Sequence, residues 1–334
     1  MTAFSEVLVT GGAGFIGSTI ASACSDAGLR PVILDDLSTG LRSFGERFAF
    51  YEGDYGDAAL LRRVFAEHPG IGAVAHCAAS IVVPESVAEP LKYYRNNVAK
   101  VVTLAEELLR ADCRRVLFSS TAAMYAPSET LVVDEQAPLA PGSPYAASKQ
   151  MVERILADTA KASSLKVIAL RYFNPVGADP SLRTGLQLPN PTHVLGMLLR
   201  AKQQRQPFTV TGTDWPTRDG SGLRDYVHVW DLALAHVAAL ERFDEVMAGP
   251  TLGPGYDVVN LGTGRGTTVF ELVEAFRKAA CPDLEVRTAG PRPGDVAGAC
   301  ASADKAARVL GWRATRTLEQ GIADAEAWSR KMNG

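Results

Sequence analysis

The sequence predicts an α/β fold, with a doubly wound parallel sheet followed by a smaller C-terminal α/β domain. Strand-like and helix-like segments alternate from residue 7 to about residue 171, as a parallel sheet with crossover helices requires. The predicted strands are continuous apolar runs, which is typical of strands buried on both faces. After residue 172 proline, glycine and asparagine become frequent, which indicates loops and short elements. We therefore predict two domains, 1–172 and 173–334, with some segments of the second returning to the first sheet.

A glycine turn follows the first predicted strand. Gly11, Gly14 and Gly17 are spaced three apart and lead into an amphipathic helix. The first glycine permits a sharp turn, the second permits close approach of a pyrophosphate, and the third lets the helix pack on the strand. The N-terminus of this helix offers free N–H groups to an anion. The turn therefore predicts a dinucleotide site in a Rossmann-type domain, with Phe15 and Ile16 among its contacts.

Acidic residues end the second and third predicted strands. Asp35 and Asp36 end the strand 31–34, at the distance from the glycine turn where an acid binds the adenosine ribose hydroxyls. A carboxylate there repels a 2′-phosphate, which favours NAD over NADP. The alternative is an exposed acid at a strand end. Asp54 and its neighbour Tyr55 are predicted to contact the cofactor near the adenine, although Asp54 as a helix N-cap is the alternative.

A long helix is predicted over residues 90–110. It contains the pair Asn96-Asn97, which is uncommon inside a helix because asparagine has mediocre helix propensity. We predict that Asn96 contacts the cofactor region, and polar packing is the alternative. His76, in the fourth predicted strand, is expected to be a packing residue and not a base.

Three polar groups are predicted to meet beside the nicotinamide. Thr121 leaves the end of the fifth predicted strand, and Tyr145 and Lys149 lie four residues apart on one helix face. Hydride removal from an alcohol requires a base for the hydroxyl proton, and a nearby lysine lowers the pKa of a tyrosine from its ordinary value of ~10. We predict that these three residues are catalytic. Ser119 and Tyr172, at the ends of neighbouring strands, are predicted to contact the cofactor together with Tyr145 and Lys149.

These motifs resemble the extended short-chain dehydrogenase/reductase superfamily, and within it the UDP-glucose (UDP-galactose) 4-epimerase family. The resemblance runs from residue 7 to about residue 312. The glycine turn (10–17) and the segment 143–149 are shared by many superfamily members. Three segments are more specific to the epimerases: RYFNPVGA (171–178), DGSGLRDYVHV (219–229) and RPGD (292–295).

The resemblance implies an NAD-dependent UDP-hexose 4-epimerase that interconverts UDP-glucose and UDP-galactose through a transient 4-keto sugar. It implies that Tyr145 is the acid/base, that Lys149 lowers its pKa, and that Thr121 hydrogen-bonds the sugar O4. The implied substrate residues are Asn174, Arg224 and Arg292 on the diphosphate, Asp295 on the uridine ribose, Asn190 near the uracil and Ala299 in the sugar pocket. Two guanidinium groups suit a diphosphate, while a surface ion pair of Arg224 and Asp225 is the alternative for that segment.

The chain departs from the family pattern at several positions. Ile81 stands where the family often has lysine, Ala126 replaces a usual glycine, and the segment 185–195 is shorter than the family's uracil-binding segment. Ala299 stands where members restricted to the plain sugars often carry tyrosine. We therefore expect the N-acetylated pair, UDP-GlcNAc and UDP-GalNAc, to be interconverted as well.

Other functions are weighed by the residues that they need. A 4,6-dehydratase carries Asp-Glu directly after the threonine, but here Ala122 and Ala123 cannot transfer protons. A UDP-uronic acid 4-epimerase or decarboxylase remains an alternative, and so does a catalytically silent NAD-binding regulator.

Composition narrows the partners. The 334 residues carry a formal net charge of −3, which gives no reason to expect nucleic acid or a membrane surface. The five cysteines are scattered without metal-ligand spacing, so we expect no metal and a reducing cytoplasm. From the resemblance we expect a homodimer through helices near 91–110 and 144–162. The candidate contacts are Val101, Leu104, Leu108, Met151 and Ile155, which are equally compatible with a core.

Overall fold

The computed structural model describes residues 4–188, 190–291 and 296–333. Its strands are β1 (Glu6–Thr10), β2 (Arg30–Asp35), β3 (Ala49–Glu52), β4 (Ile71–His76), β5 (Arg115–Thr121), β6 (Val132–Val133), β7 (Lys166–Tyr172), β8 (Asn174–Val176), β9 (Phe208–Thr211), β10 (Leu223–Arg224), β11 (Tyr226–His228), β12 (Tyr256–Leu261), β13 (Thr267–Thr268), β14 (Val286–Ala289) and β15 (Gly298–Ala301). Its helices are α1 (Phe15–Asp26), α2 (Arg42–Gly45), α3 (Ala58–Glu67), α4 (Val83–Ala88), α5 (Pro90–Tyr93), α6 (Lys100–Arg110), α7 (Pro144–Ala162), α8 (Val194–Gln204), α9 (Val229–Glu241), α10 (Phe243–Ala248), α11 (Val269–Ala280), α12 (Asp304–Leu310) and α13 (Leu318–Asn333). Across the described ranges, no helix is long and apolar enough to cross a bilayer.

A seven-stranded parallel sheet forms the centre of the molecule, in the order β12-β7-β5-β4-β1-β2-β3. The strand order reverses between β1 and β4, which is the topological switch point of a doubly wound sheet. Ligands of such sheets bind outside the carboxyl ends of the strands at this point. The predicted Rossmann-type fold is therefore confirmed.

Both faces of this sheet are covered by helices, which explains why its strands are continuous apolar runs. Val9 packs with Ile20 of α1 and Leu232 of α9 in one buried cluster. Leu8, which points to the opposite face because side chains alternate along a strand, belongs to a second cluster with Leu104 of α6. Strands buried on both sides need apolar residues at every position.

The smaller C-terminal part has its own apolar core. Leu198 of α8, Phe276 of α11 and Ile322 of α13 are fully buried in it. It includes three small sheets, β13-β10-β15-β6, β11-β8 and β14-β9. Several elements that follow residue 172 return to the first part: β12 pairs with β7, α9 packs on α1, and residues of α10 and α12 are buried in the same cluster as Val9. We keep the boundary between residues 172 and 173 as a proposal. The elements named above belong to the second part of the chain but join the sheet of the first part or pack on it.

The predicted helix over 90–110 is not one continuous α-helix. Between α5 and α6 the chain makes a π-helical turn at Tyr94–Ala99. The side chain of Asn97 points inward from this turn, accepts from the Ser80 N–H at 2.8 Å and donates to the Ser80 carbonyl at 2.9 Å. Single π-helical turns are rare and concentrate at functional sites. The prediction of an uninterrupted helix was wrong because these bonds favour the wider turn.

Candidate active site

The glycine turn between β1 and α1 is shaped by close contacts. Gly11 has φ +70°, and a Cβ added to it would lie 2.7 Å from the backbone nitrogen of Ala78. A Cβ on Gly17 would lie 2.2 Å from the Gly11 carbonyl oxygen. A Cβ added to Gly14, by contrast, would meet nothing nearer than the Gly11 carbonyl oxygen at 3.4 Å among the described residues. Gly14 is the N-cap residue of α1. The turn is therefore closed toward the protein and open at the helix N-terminus.

Asp35 fastens this turn to the end of β2. Its carboxylate accepts from the backbone N–H groups of Ala13 at 2.9 Å and Leu37 at 2.8 Å, and burial raises its pKa. The alternative of an exposed acid is therefore wrong for Asp35. Asp36 is exposed, as that alternative predicts, and its carboxylate accepts from the N–H and the hydroxyl of Ser38. Both carboxylates lie at the carboxyl end of β2, on the side of the glycine turn.

Asp54, Tyr55 and Asn96 meet around one lysine. The Lys100 ammonium is 2.6 Å from the Asp54 carboxylate and donates to the Asn96 side-chain oxygen at 2.7 Å. The Tyr55 hydroxyl donates to the Asn96 carbonyl. The N-cap of α3 is Asp57, so the capping alternative for Asp54 is wrong. The structure thus brings three predicted cofactor residues together beside β3 and the π-helical turn.

For Asn97, the other member of the asparagine pair, the alternative of polar packing is right, although its partners were not predicted. This residue is 2% exposed, and its amide donates to the Ser148 hydroxyl at 3.0 Å. The Ser148 hydroxyl donates in turn to the Tyr145 carbonyl at 2.7 Å. Asn97 therefore ties the segment after β4 to the first turn of α7. The pair itself was the signal, but the π-helical turn changes the helical phase that decides which asparagine faces inward.

The three predicted catalytic residues lie together at the carboxyl ends of the strands. Thr121 is the last residue of β5, and α7, capped by the Ser143 hydroxyl, carries Tyr145 in its first turn. The Tyr145 phenol lies beside the Thr121 side chain. Burial raises the pKa of the Tyr145 phenol, and the neighbouring Thr121 side chain lowers it. The pair therefore holds a phenol and a hydroxyl at one point.

Lys149 lies one turn further along α7 and is 3% exposed. Its ammonium donates to the Ser119 carbonyl at 2.8 Å and lies 4.8 Å from the centre of the Phe118 ring. Burial lowers the pKa of Lys149 to about 8, while electrostatic interaction with Cys77, when that thiol is ionised, and with Glu153 opposes that shift. A cation in this place favours ionisation of a neighbouring phenol.

Two further residues with predicted roles lie on the seven-stranded sheet, which forms the first lobe of the protein. The smaller C-terminal part is the second lobe. Tyr172 is the register partner of Thr121, and burial raises its pKa. His76 lies 2.7 Å from the Thr10 hydroxyl, and burial lowers its pKa to about 3. A neutral, enclosed imidazole is a packing group, so the prediction for His76 is confirmed.

The predicted substrate residues converge from short strands of the second lobe. Arg224 of β10 is the register partner of Ala299 of β15, and it donates to the Ala297 carbonyl at 3.2 Å. Asn174, at the start of β8, is paired with Tyr226 of β11. These strands of two to four residues carry no periodicity, so the motif resemblance was their only sequence signal.

Other substrate predictions have different outcomes. Asp225 is fully buried and accepts from Thr263 and from the Ala301 N–H, so it is not half of a surface ion pair. Asn190 is exposed, as is Ile81. The predictions for Arg292 and Asp295 lie outside the described residues.

Three buried polar atoms of the second lobe have no hydrogen-bond partner within the described residues: Gln187 Oε1, His193 Nε2 and the Tyr226 hydroxyl. His193 already accepts from the Gly196 N–H at the start of α8, so its second nitrogen is the donor. Buried polar groups are normally paired, and polar ligands pair them in binding sites. Sequence reasoning did not identify these residues, since glutamine, histidine and tyrosine in a loop-rich segment carry no distinguishing pattern.

Comparison with known proteins identifies the family of this chain. The model of the NAD dependent epimerase/dehydratase family matches residues 7–262. The chain is 44% identical over 330 residues to the UDP-glucose 4-epimerase of Azospirillum brasilense, which spans 98% of this chain and 92% of that protein. It is 41% identical over 341 residues to the Bacillus subtilis (strain 168) enzyme of the same name, with 98% of each covered. The chain belongs to this family, among the UDP-glucose 4-epimerases.

Solved structures support the same placement. The UDP-glucose 4-epimerase of Stenotrophomonas maltophila, solved with NAD and a formylated UDP-arabinopyranose, superposes with a TM-score of 0.93 at 35% identity, covering 98% of this chain and 99% of that one. The UDP-Glc/GlcNAc 4-epimerase of Campylobacter jejuni superposes with a TM-score of 0.83, also at 35% identity and with the same coverage of each chain. The predicted family is confirmed.

The residues present fit NAD as the cofactor. The glycine turn leaves the α1 N-terminus open to a pyrophosphate, and carboxylates stand at the end of β2 where a ribose is bound. Among the described residues no group of three or more histidine, cysteine, aspartate or glutamate side chains is arranged to hold a metal ion.

We expect the buried ammonium of Lys149 to make stability depend on pH. Its native pKa of about 8 lies below the ordinary value of 10.5, so the cost of burying the charge is fully present below pH 8 and disappears as pH approaches 10.5. Wild type should therefore gain up to about 3 kcal/mol relative to Lys149→Met over this interval. Chemical denaturation at a series of pH values measures the difference.

Lys161→Met is the control for this experiment, because Lys161 is exposed on the same helix. Its stability should follow that of wild type across the pH range. Parallel curves for wild type and Lys149→Met would contradict the assignment of the shifted group.

Proposed function

We propose that this protein is an NAD-dependent UDP-hexose 4-epimerase that interconverts UDP-glucose and UDP-galactose. The observation that carries the proposal is the meeting of Thr121, Tyr145 and Lys149 at the carboxyl ends of the strands, beside the switch point of the sheet. The relatives named UDP-glucose 4-epimerases support it over nearly the whole chain. A silent regulator would not need this set.

Bound NAD supplies a hydride acceptor for the sugar C4 and a donor that returns the hydride to the opposite face. Tyr145 takes the O4 proton as the 4-keto sugar forms and gives it back, with Thr121 hydrogen-bonded to the same oxygen. Lys149 favours the ionised phenol in its buried position. The residues that would hold the cofactor are Gly11, Gly14, Phe15, Ile16, Gly17, Asp35, Asp36, Asp54, Tyr55, Asn96, Ser119, Tyr145, Lys149 and Tyr172.

The second lobe would hold the UDP group while the 4-keto sugar turns about its diphosphate link. Arg224 and Asn174 are proposed on the diphosphate, and the unpaired buried atoms of Gln187, His193 and Tyr226 support a polar ligand in this lobe. Asn190, Arg292, Asp295 and Ala299 complete the proposed substrate set.

Replacing Tyr145 with phenylalanine tests the proposed base. General acid–base groups contribute about 10²- to 10⁴-fold, so kcat should fall by at least ~10²-fold while the dissociation constant for UDP stays within about twofold. Resolution of the C4 epimers gives the rate, and calorimetry gives the affinity. Tyr51→Phe is the control, since that hydroxyl binds Glu67 of α3 and Tyr51 is not one of the proposed site residues. Near-normal turnover by Tyr145→Phe would refute the assignment.

We further propose that the N-acetylated sugars are substrates. Ala299 is half-buried on β15 beside Arg224, and its methyl group leaves space that a phenol would fill. The Campylobacter jejuni neighbour, named for both UDP-Glc and UDP-GlcNAc, supports this range for the fold.

Enlarging residue 299 should narrow the substrate range. Ala299→Tyr is expected to keep UDP-glucose turnover and to lose UDP-GlcNAc turnover by about tenfold or more, because overpacking costs ~1–3 kcal/mol. Ala299→Gly, which leaves the space open, should retain both activities. A wild-type enzyme that converts no UDP-GlcNAc would end this proposal.

We propose a homodimer formed through the helices near 91–110 and 144–162. Exposed apolar side chains support it: Val87 of α4 and Leu91 of α5 are 63% and 64% exposed, and Val102 of α6 and Met151 of α7 are 44% and 45% exposed. The other candidate contacts need correction, because Val101, Leu104 and Leu108 are buried in the core of the sheet's second face and Ile155 is half-buried.

Charged substitutions on this surface should dissociate the dimer. The double variant Leu91→Glu/Val102→Glu is expected to show the monomer mass in light scattering at micromolar concentration, where wild type shows the dimer mass. Leu252→Glu, at a 50% exposed leucine outside these helices, should leave the mass unchanged. A monomeric wild type would contradict the proposal.

A cytoplasmic location is also proposed. All five cysteines are free thiols, which supports a reducing compartment.

A further inference from the structure

A buried ion pair lies directly behind the catalytic face of α7. Glu153, one turn after Lys149, is 5% exposed and Arg171 of β7 is 4% exposed. One Glu153 oxygen accepts from the Ser120 hydroxyl at 2.5 Å and from Arg171 Nε at 2.9 Å. The other accepts from Arg171 Nη2 at 2.6 Å and from the Tyr256 hydroxyl at 3.0 Å. The carboxylate therefore has four donors and is held in one orientation.

Two of the three partners of Glu153 in the sheet, Ser120 and Arg171, stand next to a residue of the proposed site. Ser120 precedes Thr121 on β5, and Arg171 precedes Tyr172 on β7. The two pairs are in register, with Ser120 opposite Arg171 and Thr121 opposite Tyr172. The bonds of Glu153 thus fix α7 against the ends of two strands at the level where Thr121 meets Tyr145.

The same network reaches the chain segment that follows Thr121. Arg171 Nη1 donates to the Tyr125 hydroxyl at 3.0 Å, and that hydroxyl donates to the Asn260 side-chain oxygen at 2.7 Å. Asn260 lies on β12, the edge strand of the sheet. Arg171 of β7 is therefore connected to α7 through Glu153, and to β12 through Tyr125 and Asn260.

The other titratable groups around Tyr145 and Lys149 are neutral near neutral pH. Burial lowers the pKa of His76 to about 3 and that of His236 to about 4, and it raises the pKa of Cys77 to about 11. Burial also raises the pKa values of the facing phenols, which are Tyr93 of α5, Tyr125, Tyr172 of β7 and Tyr256 of β12. Glu153 and Arg171 therefore form the buried charge pair behind the catalytic residues, and their opposite charges balance. A further carboxylate, Glu135, accepts from the Asn260 N–H at 2.8 Å at the β12 end of the network.

We propose that Glu153 and Arg171 are positioning residues of the epimerisation, which hold the Tyr145–Lys149 face of α7 against β5 and β7 and balance the charge behind it. The inference rests on the proposed function for its link to turnover. Its electrostatic part concerns Tyr145 and Lys149 alone.

The test removes each charge in turn. Glu153→Gln leaves a buried cation near the pair, which lowers the pKa values of both groups, so the pH profile of kcat should move to lower pH by about one unit. Arg171→Gln leaves a buried anion and should move the profile to higher pH by a similar amount. In Glu153→Gln/Arg171→Gln the shifts should largely cancel, because the charge is again balanced.

A second readout needs no turnover. The ultraviolet absorbance of ionised tyrosine is titrated in each variant, and the same titration in a Tyr145→Phe background is subtracted to isolate Tyr145. The midpoints should shift in the same directions as the kinetic profiles. Wild type could convert no UDP-hexose while the Tyr145 titration midpoint falls in Glu153→Gln and rises in Arg171→Gln. In that case the proposed substrate fails and the electrostatic role stands.

Two controls separate positioning from stability. Glu107→Gln removes another buried carboxylate that is bound by an arginine at two points, Arg62, but on α6 away from the site. It should lower the denaturation midpoint and leave the pH profile unchanged. Glu153→Asp keeps the charge and should stay nearer to the wild-type profile than Glu153→Gln does. The proposal would be overturned if the Tyr145 titration midpoint did not shift, or if it shifted in the same direction in Glu153→Gln and Arg171→Gln. If one single variant fails to fold, the other and the double variant decide.

Discussion

The ammonium of Lys149 has to remain inside the protein beside Tyr145, and much of the surrounding structure serves that requirement. A buried cation costs free energy unless hydrogen bonds and nearby charge compensate it. The Ser119 carbonyl supplies one bond, the Phe118 ring supplies a negative face, and the Glu153 carboxylate lies one turn away. The compensation is incomplete, since burial still lowers the pKa of Lys149 to about 8. A lysine held this close to neutrality responds to small changes in its surroundings.

Compensation of this kind requires that α7 cannot slide on the sheet. A helix held by apolar contacts alone has several nearly equal positions, because apolar packing is not directional. Hydrogen bonds from Ser120 and Arg171 to Glu153, and from Asn97 to Ser148, select one of these positions. The polar interior of this lobe is therefore concentrated where two strands and one helix must agree in register.

The sequence was informative wherever a residue pattern had one physical cause. Buried parallel strands need apolar runs, and the glycine turn needs close approach at Gly11 and Gly17, so the sheet and the start of α1 could be predicted. The fourfold spacing of Tyr145 and Lys149 placed both on one face. Prediction failed where the decisive contact is remote in sequence. The bonds of Asn97 to Ser80 produce the π-helical turn, and strands of two or three residues such as β10 exist because β13 and β15 flank them.

The second lobe shows a different balance between sequence and structure. Its core side chains, such as Phe276, are satisfied internally, whereas Gln187, His193 and Tyr226 keep buried polar atoms unpaired within the described residues. Leaving such a group unpaired costs about 1–3 kcal/mol, which a lobe selected for stability alone would avoid. In the lobe built on the seven-stranded sheet, one such atom, Asp257 Oδ2, belongs to a carboxylate whose other oxygen lies 2.6 Å from the Lys305 ammonium, and the Glu153 carboxylate has both oxygens bonded. A rigid catalytic face on the sheet and a lobe whose polar groups await a partner suit an enzyme that holds its substrate by one end while the other end turns.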